Sequence, residues 1–144
     1  METTIIEKLD KSRYEAMKWF TFGWILWFCG FIIKDFINNN FILGLILLIG
    51  LFGWVFYTVN LIRIVKLGKI INADEKLRNA LNNELHQLYM YKSVFWGFKI
   101  VIAIICVFLG ISSFYNISSL LVCEITLLFG VSSFLIAGLV YNKD

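Results

Sequence analysis

The sequence predicts an all-α membrane protein whose four transmembrane helices form two antiparallel hairpins. Three observations lead to this fold class: an unusually apolar composition, four long apolar stretches and two short polar turns. Hydrophobic residues make up 60% of the chain and charged residues 16%, whereas a soluble domain carries about 45–50% and about 25%. A water-soluble fold of 144 residues could not bury so much apolar surface, but a bilayer can solvate it.

The four apolar stretches are each long enough to cross the hydrocarbon core as a helix, which takes about 20 residues. The predicted spans cover residues 19–37, 41–62, 94–114 and 118–140. Polar residues do not alternate along them, which excludes a transmembrane barrel. Proline is absent from the chain, so no span is expected to contain a proline kink.

Two short polar turns separate the spans within each pair. Residues 38–40 are three asparagines, and residues 115–117 are Tyr-Asn-Ile. Turns this short place consecutive helices side by side and antiparallel. We therefore expect one domain, residues 1–144, made of two hairpins that the longer segment 63–93 connects.

The distribution of basic residues predicts the orientation of the spans. Lysine and arginine concentrate before span one, in the segment 63–93 and after span four; they are Lys8, Lys11, Arg13, Lys18, Arg63, Lys66, Lys69, Lys76, Arg78, Lys92 and Lys143. The opposite side carries only Lys34. Since loops rich in lysine and arginine stay in the cytoplasm, both termini and the segment 63–93 are predicted to be cytoplasmic.

The first span is expected to remain as a membrane anchor. Four acidic residues precede it, and its end lacks the small-residue pattern of a signal-peptide cleavage site. A composition rich in Ile, Asn, Lys and Phe is typical of an AT-rich bacterium. We therefore expect the inner membrane of a bacterium as the location.

The two cytoplasmic segments are predicted to be helical. Residues 1–18 have the periodicity of an amphipathic helix, with Thr4 and Glu7 at capping-box spacing, and are expected to lie on or near the membrane surface. In the connecting segment Asn72 resembles an N-cap, and no helix breaker follows before Gly97. We therefore expect one helix from about Ala73 through span three to about Phe114.

A stripe of leucines on this predicted helix is the candidate partner-binding surface. It consists of Leu77, Leu81, Leu85 and Leu88, whose spacing places them on one helix face. A helix in the cytoplasm would not leave four leucines in water. The stripe is expected to pack against the N-terminal helix, against a second copy of the chain or against another protein.

The two hairpins share weak sequence marks. Both hairpins begin with a lysine, three residues, an aromatic residue, a glycine and a second aromatic residue. The lysine and glycine of this pattern are Lys18 and Gly23 in the first hairpin, and Lys92 and Gly97 in the second. Leu47-Leu48-Ile49-Gly50 in span two resembles Leu127-Leu128-Phe129-Gly130 in span four. The marks fit either a parallel duplication or a chance match between glycine- and aromatic-rich spans.

Glu124 is the one ionisable residue well inside a predicted span, roughly 9 Å below the outer end of span four. Charged groups at such depth are costly and mark ion or proton sites in many membrane proteins. The structural alternative is a carboxyl group that hydrogen-bonds a neighbouring helix or pairs with Lys34. Both interpretations stay open from the sequence.

Other chemistry finds no support in the sequence. Catalytic motifs are lacking, the three cysteines have no metal-ligand spacing, and His86 lies too far along the chain from the spans to ligate a haem. No cofactor and no nucleic acid are expected. The leading hypothesis is a non-enzymatic protein that assembles as a homo-oligomer or as an accessory subunit in contact with membrane lipid. The alternatives are an oligomeric transporter or channel that uses Glu124 and, as the weakest, an enzyme acting on lipid.

Overall fold

The computed structural model describes residues 2–142, apart from the side chains of residues 2–4 and 35. Its helices are α1 (Glu2–Ile33), α2 (Asn40–Ala73), α3 (Glu75–Leu81), α4 (Glu84–Ser112) and α5 (Ser119–Tyr141), and a 3-10 turn (Lys34–Phe36) follows α1. Of the described helices, α1, α2, α4 and α5 are long and apolar enough to cross a membrane. The predicted fold class is confirmed.

The four long helices lie in an open row. Helix α1 packs along α2, and α4 packs along α5; the two hairpins meet where α1 contacts α5. The order in space is therefore α2, α1, α5, α4, with α3 against α2 and α1. Among the described residues α2 packs along α1 and α4 packs along α5, and neither packs along a second long helix, so they form the two ends of the row.

Two ends of the molecule differ in charge. We call the end at which α1 begins, α3 lies and α5 ends the basic end, because it carries Lys8, Lys11, Arg63, Lys66, Lys69 and Lys92. The opposite end, which we call the turn end, holds the connections at 37–39 and 113–118. Lys143, also used above for the orientation, lies outside the described residues.

Glycines bring α1 and α2 into backbone contact. A Cβ atom added to Gly23 would lie 2.5 Å from Tyr57 N and 2.8 Å from Gly53 O, and one on Gly53 would lie 2.6 Å from Trp27 N. Small residues allow such an approach between membrane helices. At the turn end Asn39 caps α2, since its Oδ1 accepts hydrogen bonds from the amides of Phe41 and Ile42.

In α4 and α5 the nearest neighbours of the glycines are side-chain atoms. A Cβ atom on Gly97 would lie 2.9 Å from Phe134 Cβ and 3.2 Å from the Gly130 carbonyl oxygen, and one on Gly130 would lie close against Val101 Cγ2. Near the basic end, Ser93 is fully buried, and its hydroxyl is 3.7 Å from the position of a Cβ on Gly138.

Two expectations about the segments at the basic end are wrong. The N-terminal residues do not form a separate surface helix, because α1 continues unbroken from Glu2 into span one. The chain offers no glycine, proline or cap between them, so the helix has no reason to stop. Helix α1 also begins before Thr4, which excludes a capping box at that residue; the Thr4 side chain itself is outside the described ones.

The single helix expected from Ala73 to Phe114 is also wrong. Helix α2 continues through Asn72 to Ala73, and Asp74 is the N-cap of α3, accepting from the amides of Lys76 and Leu77. The helix then breaks at Asn82–Asn83, where the Asn83 side chain caps α4 by accepting from the His86 amide. Asparagine favours such caps over helix interiors because its short side chain bonds nearby backbone.

Candidate functional site

A polar network joins the hairpins at the basic end, where α1, α4 and α5 meet. Arg13 of α1 donates from Nη1 to the Leu81 carbonyl and to Asn82 Oδ1, both at 3.4 Å. Its Nη2 lies 2.9 Å from His86 Nδ1 and also contacts His86 Nε2. His86 Nδ1 is in turn 3.0 Å from Oδ1 of Asn142, which follows α5. One arginine thus connects α1 with the end of α3, with α4 and, through His86, with α5.

The donors and acceptors of this network fit a neutral His86. Asn142 Nδ2 donates to the Gly138 carbonyl at 2.6 Å, so Asn142 turns its acceptor oxygen to the imidazole. In the tautomer that carries its proton on Nδ1, Nδ1–H donates to that oxygen and Nε2 accepts from the guanidinium, which can only donate.

The electrostatics favour the same state. Burial lowers the pKa of His86, and the neighbouring Arg13 cation lowers it further, while the Asn142 hydrogen bond and the Asp10 carboxylate act in the opposite direction. His86 lies outside the apolar part of α4, which begins near Val94. A second positive charge on this ring would face the guanidinium and weaken the connection between the hairpins.

A cleft of about 320 Å³ lies beside the network. Its walls combine polar and apolar side chains and include Asp10, Leu81, Tyr89 and Tyr141. Among the residues that the structure describes, no three His, Cys, Asp or Glu side chains lie close enough together to hold a metal ion. The network therefore offers hydrogen bonds between helices and no candidate metal centre.

The leucine stripe is divided by the break between α3 and α4. Leu81 is buried, and Leu77 is half-buried in α3, which packs against α2 and α1. Leu85 and Leu88 of α4 are 51% and 47% exposed. The structure thus places the first two leucines within the chain's own packing and leaves the other two at the surface.

Glu124 is buried in α5, 8% exposed. Within the described part of the chain its carboxyl group makes no hydrogen bond or ion pair. The structure does not bring Lys34 to it: the Lys34 ammonium lies 3.8 Å above the Phe31 ring. Glu124 is therefore a largely buried residue whose carboxyl group has no partner among the described residues, and its carboxyl oxygens keep some accessible surface.

Other polar groups in the spans mostly bond their own helix. The hydroxyls of Thr21, Thr126 and Ser133 each donate to the carbonyl four residues earlier. Two buried atoms among the described side chains have no partner, Trp24 Nε1 and Ser132 Oγ. They lie in α1 and α5, the two helices at which the hairpins meet.

Sequence reasoning missed the Arg13–His86–Asn142 network. Arg13 and His86 are 73 residues apart along the chain, and no local pattern links them. The adjacent asparagines Asn82 and Asn83 were the one signal available, because paired asparagines before an acidic residue are typical of a helix start.

Comparison of the chain with known protein families, with curated proteins and with solved structures finds no match.

Proposed function

We propose that this integral membrane protein acts without catalysis, through assembly with further membrane helices, either as a homo-oligomer or as an accessory subunit. The observation that supports the proposal best is the open row of helices. Helices α2 and α4 each pack on one side only, and both carry glycines, Gly44 and Gly110, with no neighbour within 4 Å of an added Cβ. Small residues on free faces are favourable sites for helix association in lipid.

The exposed leucines of α4 give this assembly a second surface outside the spans. Leu85 and Leu88 precede the apolar part of α4, and Tyr91 beside them is 75% exposed. Apolar side chains at this position are too far from the hydrocarbon core to be covered by lipid tails alone. A second copy of the chain or another membrane protein would cover them.

Cysteine crosslinking tests the assembly. In a chain whose Cys29, Cys106 and Cys123 are replaced by serine, Leu85→Cys should form an adduct of higher mass on crosslinking in intact membranes. The matched control is Leu81→Cys, at the end of α3 and 8% exposed, which should form none. A single-copy mass by native mass spectrometry in nanodiscs, together with no adduct at Leu85→Cys or Leu88→Cys, would rule out the proposal.

The location belongs to the same proposal. The basic end would face the cytoplasm of a bacterium, with both termini inside and the membrane being the inner one, because lysine and arginine gather at that end. A membrane-impermeant maleimide added to intact cells should label Asn39→Cys at the turn end and spare Asn82→Cys at the basic end. The reverse labelling would invert the orientation.

A second candidate function is ion or proton transport through an oligomer. The buried, unpartnered Glu124 supports it, since an unpaired acid within a span is expensive and such residues mark transport paths. Glu124→Gln keeps the size and the hydrogen-bonding ability of the side chain but cannot carry a charge. Proteoliposomes of this variant should lose any flux that the wild type shows, and an unchanged flux would exclude the carboxylate from the path.

A further inference from the structure

The α4–α5 hairpin has an apolar groove at the basic end. Its volume is about 400 Å³, which is in the range of about 300–1,000 Å³ that ligand sites occupy. Trp96 and Ile100 of α4 form one wall, and the other wall comes from α5; those residues are Ser133, Ile136, Ala137, Val140 and Tyr141. No carboxylate lines the groove.

Two lysines stand at the rim of this groove. The Lys92 ammonium lies 5.8 Å from the centre of the Tyr141 ring, and the Lys99 ammonium lies 5.2 Å from that of Trp96. Both rings are walls of the groove. Within the described residues neither ammonium has an acidic partner, so two positive charges lie at the mouth without compensation.

The direction of the Lys99 side chain places its charge toward the basic end. Its ammonium is 4.4 Å from the Phe95 ring centre, one turn earlier in α4, so the side chain extends back along the helix. Lysines at the ends of spans extend in this way to reach the headgroup layer while their methylenes stay in the apolar layer. Lys92 and Lys99 are two turns apart on one face of α4, and each ammonium lies near a ring that lines the groove.

The aromatic walls add hydrogen-bonding capacity at the same depth. Trp96 Nε1 donates to Tyr141 Oη at 2.9 Å, which leaves the phenol's own O–H free to donate. Tryptophan and tyrosine favour the level of the lipid headgroups. The site thus combines two cations, one hydroxyl donor and an apolar groove below them.

From this combination we infer that the groove binds an anionic phospholipid, with the phosphate between Lys92, Lys99 and Tyr141 and an acyl chain along Ile100 and Ala137. A second groove on the α4–α5 hairpin serves as the reference for this proposed lipid site. It is more apolar than the first groove, and among the described residues no lysine lies over its rings; its lining residues are Val94, Gly97, Phe98, Val101, Thr126, Leu127, Gly130, Val131 and Phe134. Ordinary, non-selective lipid contact suffices there.

Lipid retention measured by native mass spectrometry tests the inference. The full chain is mixed with phosphatidylglycerol and phosphatidylcholine in equal amounts, and the bound ratio is recorded. In the double variant Lys92→Gln, Lys99→Gln the preference for phosphatidylglycerol should fall by about five- to tenfold, since each basic residue near a headgroup layer contributes several-fold to anionic-lipid binding. The control Lys66→Gln, Lys69→Gln removes the same charge from α2 and should keep the wild-type ratio.

Three further variants separate the groove from the charges. Ala137→Phe fills the proposed groove and should reduce retained phosphatidylglycerol, whereas Val131→Phe fills the second groove and should not. The variant Lys92→Arg, Lys99→Arg should keep the preference and shows that the protein folds with both positions changed.

Three results would overturn the inference. They are an unchanged lipid ratio in the Lys92→Gln, Lys99→Gln variant, an equal loss in the α2 control, and displacement of the lipid by excess glycerol 3-phosphate. The last would show a site for soluble anions that needs no acyl chain. The inference concerns one chain and holds whether or not the chain assembles.

Discussion

In the α1–α2 hairpin the glycines lie closest to backbone atoms of the facing helix, whereas in the α4–α5 hairpin their nearest neighbours are side-chain atoms. In the first, Gly23 and Gly53 face each other's helix backbone. In the second, Gly97 and Gly130 receive Phe134 and Val101. Backbone atoms cannot move aside without bending a helix, and Phe134 Cβ is equally fixed because it is bonded to the α5 backbone. Val101 Cγ2, by contrast, moves when Val101 changes its rotamer. The glycines of the first hairpin should therefore tolerate far less change than Gly130.

Aromatic ring contacts also differ between the two hairpins. Trp24 contacts the rings of Phe28 and Tyr57 at centroid distances of 4.9 and 5.8 Å, within a cluster that extends along α1 and α2. In the α4–α5 hairpin the described ring pair is Tyr89–Tyr141, at 5.8 Å. Extensive ring contacts add to the stability of the first hairpin, while the second carries the lipid groove and Glu124.

The two hairpins share a sequence pattern, but their helices do not pack in the same register: α1 on α2 and α4 on α5 are offset differently. Gly23 contacts residues at and after Gly53 on α2, whereas Gly97 contacts Gly130 and Phe134 on α5. When Gly130 is aligned with Gly50, the contacts of Gly97 fall about one turn earlier than those of Gly23. A duplication, if one occurred, was followed by a shift of one return helix.

The largest expected effect comes from a large side chain at Gly23. Gly23→Leu should destabilise the protein by more than the roughly 1–3 kcal/mol that overpacking normally costs, because its Cβ alone would lie 2.5 Å from the Tyr57 amide nitrogen. The fraction folded during denaturation with SDS, followed by circular dichroism, measures the loss.

Gly44→Leu is the matched control for this prediction. It adds the same side chain to α2, where nothing lies within 4 Å of an added Cβ, and should change stability by less than about 0.5 kcal/mol. Equal stability of the two variants would contradict the backbone contact between α1 and α2.

In the α4–α5 hairpin we expect a smaller loss of stability, which a second substitution should partly restore. Gly130→Ala should cost about 1–2 kcal/mol by overpacking against Val101 Cγ2. In the double variant Gly130→Ala, Val101→Ala the nearest remaining atom is Val101 Cβ at 3.9 Å, so much of the clash is relieved. A double-mutant cycle of unfolding free energies should give a favourable coupling of about 1 kcal/mol.

No such rescue exists in the first hairpin. Around Gly53 the nearest atoms are Trp27 N and Gly23 O, and no side-chain truncation removes them. Gly53→Ala combined with Trp27→Ala should show no favourable coupling. Rescue in this pair, or its absence between Gly130 and Val101, would remove the distinction between the hairpins.

The spans and turns could be predicted because their causes are local. Long apolar stretches need a helix in lipid, since an unpaired backbone amide is costly there, and the asparagines at 38–40 allow the chain to reverse and cap α2. The break at Asn82 was missed because the leucines on both sides keep helical spacing. An asparagine cap there outweighs that periodicity, and burial of Leu81 against α1 and α2 depends on tertiary packing.

The network around Arg13 could not be predicted for a different reason. Its members come from α1, α4 and the end of α5, so it depends on how the two hairpins meet. That meeting is set by small and buried residues such as Ala16, Ser93 and Gly138, which carry no chemical signature of their own. Only the packed structure shows that His86 has an arginine as its neighbour.

The smallest expected effect is a pH dependence of the contact between the hairpins. Because the pKa of His86 is lowered in the folded chain, the unfolded chain binds the proton more readily at mildly acidic pH. The stability from the network is therefore fully present above the ordinary histidine pKa of about 6.5 and is lost as the pH falls through the lower folded value. The melting temperature in detergent should decrease over this interval.

Substitutions at His86 separate this titration from the other acids of the chain. His86→Gln does not titrate and can still accept a hydrogen bond from Arg13, so its melting temperature should depend less on pH than that of the wild type. His86→Phe loses the hydrogen bonds and should melt lower at neutral pH, with the same weak pH dependence. A His86→Gln variant that keeps the full wild-type slope would assign the dependence to carboxylates such as Asp10. The hairpins would then be joined by packing at Ala16, Ser93 and Gly138, with Arg13 contributing little.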